Sequence, residues 1–322
     1  MRCVSILFLA SHLKRFVPAS TGWLRPAADV RFDTFRRDGD STNVSKNLII
    51  SRLCCAAAAA LLIGTASASE SQIQFQVVVE PFPAEFAGLE STVSNHILRA
   101  AGMWGQHINA VNCETNCAIA IEFRIQKSPT PASGRSLRNA PFNNETYNGK
   151  IVMEEGMAYK LRTGKAPGGQ GPDVEIVIDP AYFKTLWWDP DLQTRNSPMP
   201  GDKLDGLSII LRELGHALAF NGFINPVTGN VGGTYISTYD RWVASNGFDF
   251  SFSGPTAVGK YGKPIPLATK SSNYFHVGDD VLNVDPVLKS DVMNGIGLQH
   301  GQRYSVSPLD IAILADCGLP VK

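Results

Sequence analysis

The chain has 322 residues, with 29 Lys and Arg side chains against 29 Asp and Glu side chains, and 44% of its residues are hydrophobic. This composition is that of an ordinary globular protein, and it lacks the charge excess that would favour nucleic acid or an anionic membrane surface. We therefore expect a folded protein that does not bind nucleic acid.

Residues 44–68 have the layout of a secretory signal peptide. Basic residues precede an apolar run over 53–63, and small residues follow it, ending in Ala66-Ser67-Ala68. The run is too short to span a bilayer, which needs ~20 residues, so we expect no membrane anchor. The protein is accordingly predicted to be secreted or periplasmic, with a mature chain that starts at Ser69.

Residues 1–43 precede this signal and show no sustained periodicity. We interpret them as a mis-assigned start, with translation beginning near Val44, and the alternative is an unusually long, disordered leader. The mature chain, 69–322, suits one large domain, or one domain with an insertion, and we expect it to be monomeric.

Three of the six cysteines lie in the leader, which leaves Cys113, Cys117 and Cys317. Export favours a local disulfide between Cys113 and Cys117, since disulfides persist in oxidising compartments. Cys317 is then unpaired, and we expect it to be a buried apolar side chain.

Alternating apolar residues predict strands at 73–80, 117–126 and 173–180. Helical spacing predicts an amphipathic helix over 89–108 that packs on a sheet. The segment between the second and third strands is rich in Ser, Pro, Asn and Gly, so it is predicted to be a long loop with one short helix at about 154–162. Long loops of this kind often line a binding cleft.

The segment LRELGHALAF, at 211–220, lies in a predicted helix over 203–221 that Asn221-Gly222 would end. Positions 212 and 216 are one turn apart on the same face, where two histidines could bind one zinc ion. The pattern is one residue away from the HExxH signature of zinc peptidases, because Arg212 occupies the first histidine position. Alone, a Glu and a His three residues apart on a helix is weak evidence.

Two further motifs follow in the C-terminal part. His276 lies in NYFHVGD, and Met293 lies in DVMNG. A final helix is predicted within 304–320, with Ser307 as its N-cap. We expect Ile311, Leu314 and Ala315 to face inward from that helix.

This order of strand, helix, strands, HExxH-like helix, distant histidine, methionine turn and closing helix resembles the metzincin zinc peptidases, and among them the leishmanolysin-like members. The order of elements matches over about 73–320, whereas the residue-level motifs lie within 208–221 and 272–318. The resemblance implies an α+β, zincin-like fold, with a twisted mixed sheet, packed helices, an active-site helix at about 203–221 and a Met-turn before the closing helix.

The resemblance also implies a domain over 69–322 with an insertion at about 223–275 that shapes one wall of the cleft. By that likeness zinc is the cofactor, His216 and His276 are its ligands, Glu213 is the general base and Met293 is the apolar floor under the metal. His300 is the rival to His276 as the last ligand. Two helix histidines, His96 and His107, are more often structural than ligating.

Two residues depart from the family pattern. Arg212 cannot be a ligand, because its guanidinium stays protonated and has no lone pair to offer. Ala219 replaces the glycine that usually lets the chain turn away, a change that is easier to tolerate. We expect the Arg212 guanidinium to occupy the space where zinc would sit and to pair with a carboxylate across the cleft.

Three functional readings remain open. The first is an exported zinc metallopeptidase in which Glu213 activates a metal-bound water and the activity is in doubt because a ligand is missing. The second is a catalytically inactive pseudopeptidase that binds an extracellular peptide or protein partner. The third is an unrelated secreted α/β protein.

Overall fold

The computed structural model describes residues 73–110, 112, 117–271, 273–278 and 285–322. The predicted leader, the signal peptide over 44–68 and the mature start at Ser69 lie outside these residues. Within them the fold is mixed α+β, with seven α-helices and several β-sheets. None of the helices in the described ranges is both long and apolar enough to cross a membrane.

The strands are β1 (Ile73–Val79), β2 (Cys117–Ile125), β3 (Ala132–Ser136), β4 (Asn139–Tyr147), β5 (Lys150–Glu155), β6 (Val174–Ile178), β7 (Leu186–Trp187), β8 (Leu204–Asp205), β9 (Tyr235–Ser237), β10 (Val243–Ser245), β11 (Phe250–Phe252), β12 (Ile265–Ala268) and β13 (Asn273–Val277). The helices are α1 (Glu90–Gly105), α2 (Gly156–Thr163), α3 (Pro180–Phe183), α4 (Gly206–Leu218), α5 (Pro255–Tyr261), α6 (Pro286–Lys289) and α7 (Pro308–Asp316). Two short 3-10 helices cover Ala84–Phe86 and Asp240–Trp242.

The sheet nearest the cleft has the order β1-β2-β6-β3. β1, β2 and β6 are parallel, whereas β3 is antiparallel to β6 and forms one edge. All five residues of β6 are buried, as expected for a strand covered on both faces. Helix α1 packs against α4, and the Trp104 indole N–H donates to the carbonyl of Leu211 at 3.0 Å.

The predicted insertion folds as strands and a helix. β10, β11, β12 and β13 form an antiparallel sheet in that order, and β9 joins β4 and β5 in a three-stranded sheet. The apolar core is nearly continuous, since one cluster runs from β1 and α1 through α4 to α7. The last strand of the insertion, β13, therefore packs in the same hydrophobic core as α4.

Three predictions about local structure were wrong. The segment between β2 and β6 is not mainly a loop, since it contains β3, β4 and β5, although its predicted short helix is confirmed as α2. The helix predicted over 203–221 ends at Leu218, before Asn221-Gly222, because Ala219 leaves the helical conformation with φ −166° and ψ −19°. In α7, Ile311 and Ala315 are only half-buried, while Leu314 is buried as predicted.

Candidate functional site

A cleft of about 570 Å³ lies between the edge strand β3 and the strand β13, with α4 as its floor. The residues that line it come from the β3 segment, α3, α4, β13 and the chain after the methionine turn: Thr130, Pro131, Ala132, Ser133, Gly134, Tyr182, Ile209, Arg212, Glu213, His216, Asn221, Asn273, Phe275, His276, Gly297 and Leu298. Four of the predicted site residues are thus in one cavity.

Three of the four predicted site residues in the cavity, Arg212, Glu213 and His216, come from helix α4. Asp205 caps it by accepting a hydrogen bond from the backbone N–H of Ser208 at 3.2 Å. Most of the helix is buried, but Arg212 and His216 are half-buried and face the cleft. The helical spacing of four residues places these two on one side, as the sequence predicts.

His216 and His276 meet across the cleft. Their ring centroids are 4.6 Å apart with the ring planes nearly perpendicular at 82°. His216 Nδ1 is 2.7 Å from the carbonyl of Phe220, and a carbonyl can only accept, so Nδ1 carries the proton and Nε2 has the lone pair. Neither ring nitrogen of His276 forms a hydrogen bond of normal geometry with a described residue, although the Asn273 backbone lies close enough to raise the pKa of the ring.

Both histidines are neutral at physiological pH. Burial and, to a smaller extent, the positive charge of Arg212 together lower the pKa of His216 to about 4. Burial also holds the pKa of His276 well below its ordinary value, with added contributions from Arg212 and His216. Arg212 therefore acts on both rings.

Glu213 is held under the edge strand. Its carboxylate accepts a hydrogen bond from the backbone N–H of Gly134, and burial raises its pKa to about 7 although that bond and the Arg212 charge oppose the rise. A side chain at position 134 would overlap the main-chain carbonyl of Glu213. The glycine thus permits the close approach of β3 to α4.

Arg212 binds the methionine turn. Its Nη1 donates to the carbonyls of Val292 at 2.9 Å and Asn294 at 2.8 Å. The prediction that it pairs with a carboxylate across the cleft is wrong for the described residues, where the guanidinium forms no ion pair. Burial lowers the pKa of Arg212, and the Glu213 carboxylate partly offsets this.

Met293 is fully buried beneath α4. A Cβ atom added at Gly215 would come within 2.6 Å of the Met293 sulfur, so the thioether packs directly on the helix. The turn is also tied to the histidine strand, because the Val277 N–H donates to the Met293 carbonyl at 2.9 Å. The methionine turn therefore links α4 to β13.

Tyr182 is a cleft residue that the sequence analysis missed. It comes from α3, and burial together with the Glu213 charge raises its pKa to about 12, with Arg212 opposing. Its hydroxyl is therefore a hydrogen-bond donor at every physiological pH. Nothing in the sequence signals this position, because a tyrosine after a strand and a proline is common in loops and short helices.

The other candidate residues lie outside the cleft. His300 is exposed in a turn, and His96 is buried with its ring against Trp188 at 4.9 Å. Cys317 is a free buried cysteine, as predicted, and burial raises the pKa of its thiol. Cys117 is disulfide-bonded, and its pairing with Cys113 stays a prediction, since Cys113 lies outside the described residues.

The described residues do not fit a catalytic zinc ion. Such a site uses three protein ligands and an open position, and here His216 and His276 offer two, beside a guanidinium that repels a cation. The part of the chain that the structure describes contains no group of three or more His, Cys, Asp or Glu side chains arranged to hold a metal ion. The described part of the cleft thus offers two of the three protein ligands that a catalytic zinc ion uses.

Comparison with protein-family models, with curated proteins and with solved structures finds no match. The metzincin resemblance therefore depends on the motifs of this chain and on the geometry of its cleft.

Proposed function

We propose that this protein is a metzincin-like pseudopeptidase, whose cleft binds an extended peptide without zinc-dependent hydrolysis. The observation that carries the proposal is Arg212, which holds a cation beside His216 and His276 in the place of a third ligand. In this reading the scaffold of an exported peptidase is kept, and the metal chemistry is lost.

The edge strand β3 supports peptide binding. The Asp179 N–H donates to the Pro131 carbonyl, and the Leu137 N–H donates to the Asp173 carbonyl. Since Pro131 and Leu137 flank β3 and bond towards β6, the alternation of an antiparallel strand directs the backbone groups of Ala132 the other way, where the cleft lies. Gly134 faces the same side but already gives its N–H to Glu213, so Ala132 is the residue of β3 left to pair with a peptide. An extended peptide can add to such an edge by main-chain hydrogen bonds.

A second candidate function, zinc-dependent peptide hydrolysis, is favoured by one observation. The His276 ring nitrogens form no hydrogen bond of normal geometry, and His216 presents the Nε2 lone pair nearby, so two imidazoles could serve as ligands. Glu213, with a pKa of about 7, is suited to take a proton. Hydrolysis would need a further ligand from outside the described residues or from solvent.

Incubation of the purified protein with a mixed-sequence peptide library distinguishes the two functions. The pseudopeptidase proposal predicts that bound peptides are recovered intact by mass spectrometry, with and without added zinc. Cleavage by the unmodified protein that a chelator abolishes would overturn it. The matched control is Glu213→Gln, which should abolish any cleavage that uses this site and leave a contaminating peptidase unaffected.

A further inference from the structure

Arg212 presents an unused hydrogen-bonding edge to the cleft. Both hydrogens of Nη1 are taken by the carbonyls of Val292 and Asn294. The atoms Nε and Nη2 form no hydrogen bond with a described residue, and both keep some exposure to solvent. The edge formed by Nε and Nη2 is therefore open to a ligand.

This edge carries a charge that its surroundings do not neutralise by contact. The guanidinium forms no ion pair within the described residues. Of the acids that act on it, the Glu213 carboxylate accepts from the Gly134 N–H, and Asp291 accepts from the Met293 N–H and the Ser307 hydroxyl. The flanking His216 and His276 rings are neutral. A half-buried cation of this kind is stabilised by an anionic partner, and two parallel N–H donors match the two oxygens of a carboxylate.

A second donor lies in the same cavity. Tyr182 and Arg212 line the same cavity, and the Tyr182 hydroxyl stays protonated because burial raises its pKa. No described group donates to or accepts from that hydroxyl by hydrogen bonding. His216 cannot serve as a donor, because its Nε2 is an acceptor in this tautomer.

We propose that Arg212, through Nε and Nη2 and with help from the Tyr182 hydroxyl, makes the cleft a binding site for a peptide carboxylate. The inference rests on the proposed function, since it specifies which peptides the cleft selects. Two sources share this chemistry, the C-terminal carboxylate of a peptide and the side chain of an internal Asp or Glu.

Three short ligands test this with the unmodified protein. They are N-acetyl-trialanine with a free carboxylate, the same peptide as its C-terminal amide, and the amide of N-acetyl-Ala-Asp-Ala. Binding by calorimetry or ligand-observed NMR should favour a carboxylate ligand over the neutral amide by at least about tenfold, the range expected for a charge-assisted hydrogen bond. A preference for the first or the third ligand identifies the source of the carboxylate.

Two variants keep the test specific to Arg212. Arg212→Gln should reduce affinity for the carboxylate ligand to that of the neutral amide, and Arg212→Lys, which keeps the charge but not the two parallel donors, should fall between them. The control is Lys260→Gln, which removes an exposed cation on α5, outside the cleft, and should change nothing. Near-ultraviolet circular dichroism checks that each variant is folded.

The outcomes separate this inference from the proposed function. Equal affinity for both carboxylate ligands and the neutral amide, or no binding of either carboxylate ligand at its solubility limit, overturns the carboxylate site. Binding of the amide alone overturns it while leaving a peptide-binding cleft. Tight binding of the acid, followed by zinc-dependent cleavage of longer peptides, supports the carboxylate site and contradicts the pseudopeptidase proposal.

Discussion

Arg212 is the single residue on which the chemistry of the site depends. It lies one helical turn from His216, lowers the pKa of both histidines and contacts the methionine turn, and in the proposed metzincin-like arrangement it stands where a ligand would. A neutral imidazole in its place would remove the repulsion and add a third nitrogen beside His216 and His276.

The substitution Arg212→His should therefore raise zinc affinity by at least about 100-fold, because a catalytic zinc site needs three protein ligands and tolerates no adjacent cation. Zinc titration by calorimetry measures this directly. Arg212→Lys is the matched control, since it changes the same position but keeps the charge. Equal zinc affinities for the two variants would show that position 212 does not face the metal site.

A buried acid outside the cleft makes the stability depend on pH. Burial and the neighbouring Asp240 charge raise the pKa of Glu155 to about 8, from an ordinary value of 4.5. The folded protein thus keeps a proton that the unfolded chain releases, so the stabilisation is complete below about pH 4.5 and is lost as the pH rises through 8.

Glu155→Gln should remove this part of the pH dependence. Between pH 5 and pH 9, the variant should lose less unfolding free energy than the unmodified protein, by on the order of 4 kcal/mol. Chemical unfolding at several pH values measures the difference, and Glu85→Gln, which removes an exposed carboxylate, is the control. Parallel stability curves for all three proteins would rule out a raised pKa at Glu155.

At the scale of elements, the contact between β3 and α4 forms the cleft. Gly134 lies so close to the Glu213 carbonyl that a methyl group has no space. Gly134→Ala should cost about 2 kcal/mol, because a main-chain neighbour cannot move aside as a flexible side chain can. In contrast, Gly102→Ala in α1 meets nothing within 4 Å and should stabilise by up to about 1 kcal/mol.

Thermal unfolding of the two variants checks this pair of predictions. The midpoint should fall for Gly134→Ala and stay level or rise for Gly102→Ala. If both substitutions are neutral, β3 does not approach α4 as closely as the structure has it.

The sequence predicts the elements that have strong apolar patterns and misses those that do not. Strands β1, β2 and β6, and helices α1 and α4, follow from their hydrophobic spacing to within a few residues at each end. Strand β3, with the sequence ASGRS, has no such pattern and is ordered by pairing with β6 and contact with α4. The edge of the cleft was therefore not predictable from local sequence.

The hairpin of β4 and β5 did have a signal. Asn148 and Gly149 both have positive φ, at 50° and 76°, which is the conformation of a tight two-residue hairpin turn. An Asn-Gly pair ahead of the apolar run in KIVMEE could have identified the turn. The site histidines were predictable from motifs, whereas Tyr182 depends on tertiary packing that no local pattern encodes.

At the scale of the whole molecule, the methionine turn and β13 bring the two sequence motifs together, the one on α4 and the one around His276. Met293 packs on α4, and β13 ends the antiparallel sheet of the predicted insertion. This packing explains how residues sixty positions apart, His216 and His276, meet in one cavity. The zincin-like arrangement is the proposal that accounts for these contacts together.

The limits of the mature chain are a separate prediction at this scale. N-terminal sequencing of the exported protein should give Ser69, since the small residues Ala66-Ser67-Ala68 follow an apolar run with a basic flank. Recovery of residues from before Val44 would contradict both the cleavage site and the downstream start.

The zinc content of the unmodified protein tests the central claim most directly. After incubation with excess zinc and removal of the unbound metal, elemental analysis should find well below one zinc ion per chain, because two histidines beside Arg212 do not make a complete site. One tightly held zinc ion per chain, removed only by a chelator, would contradict the pseudopeptidase account and require another residue to complete the coordination.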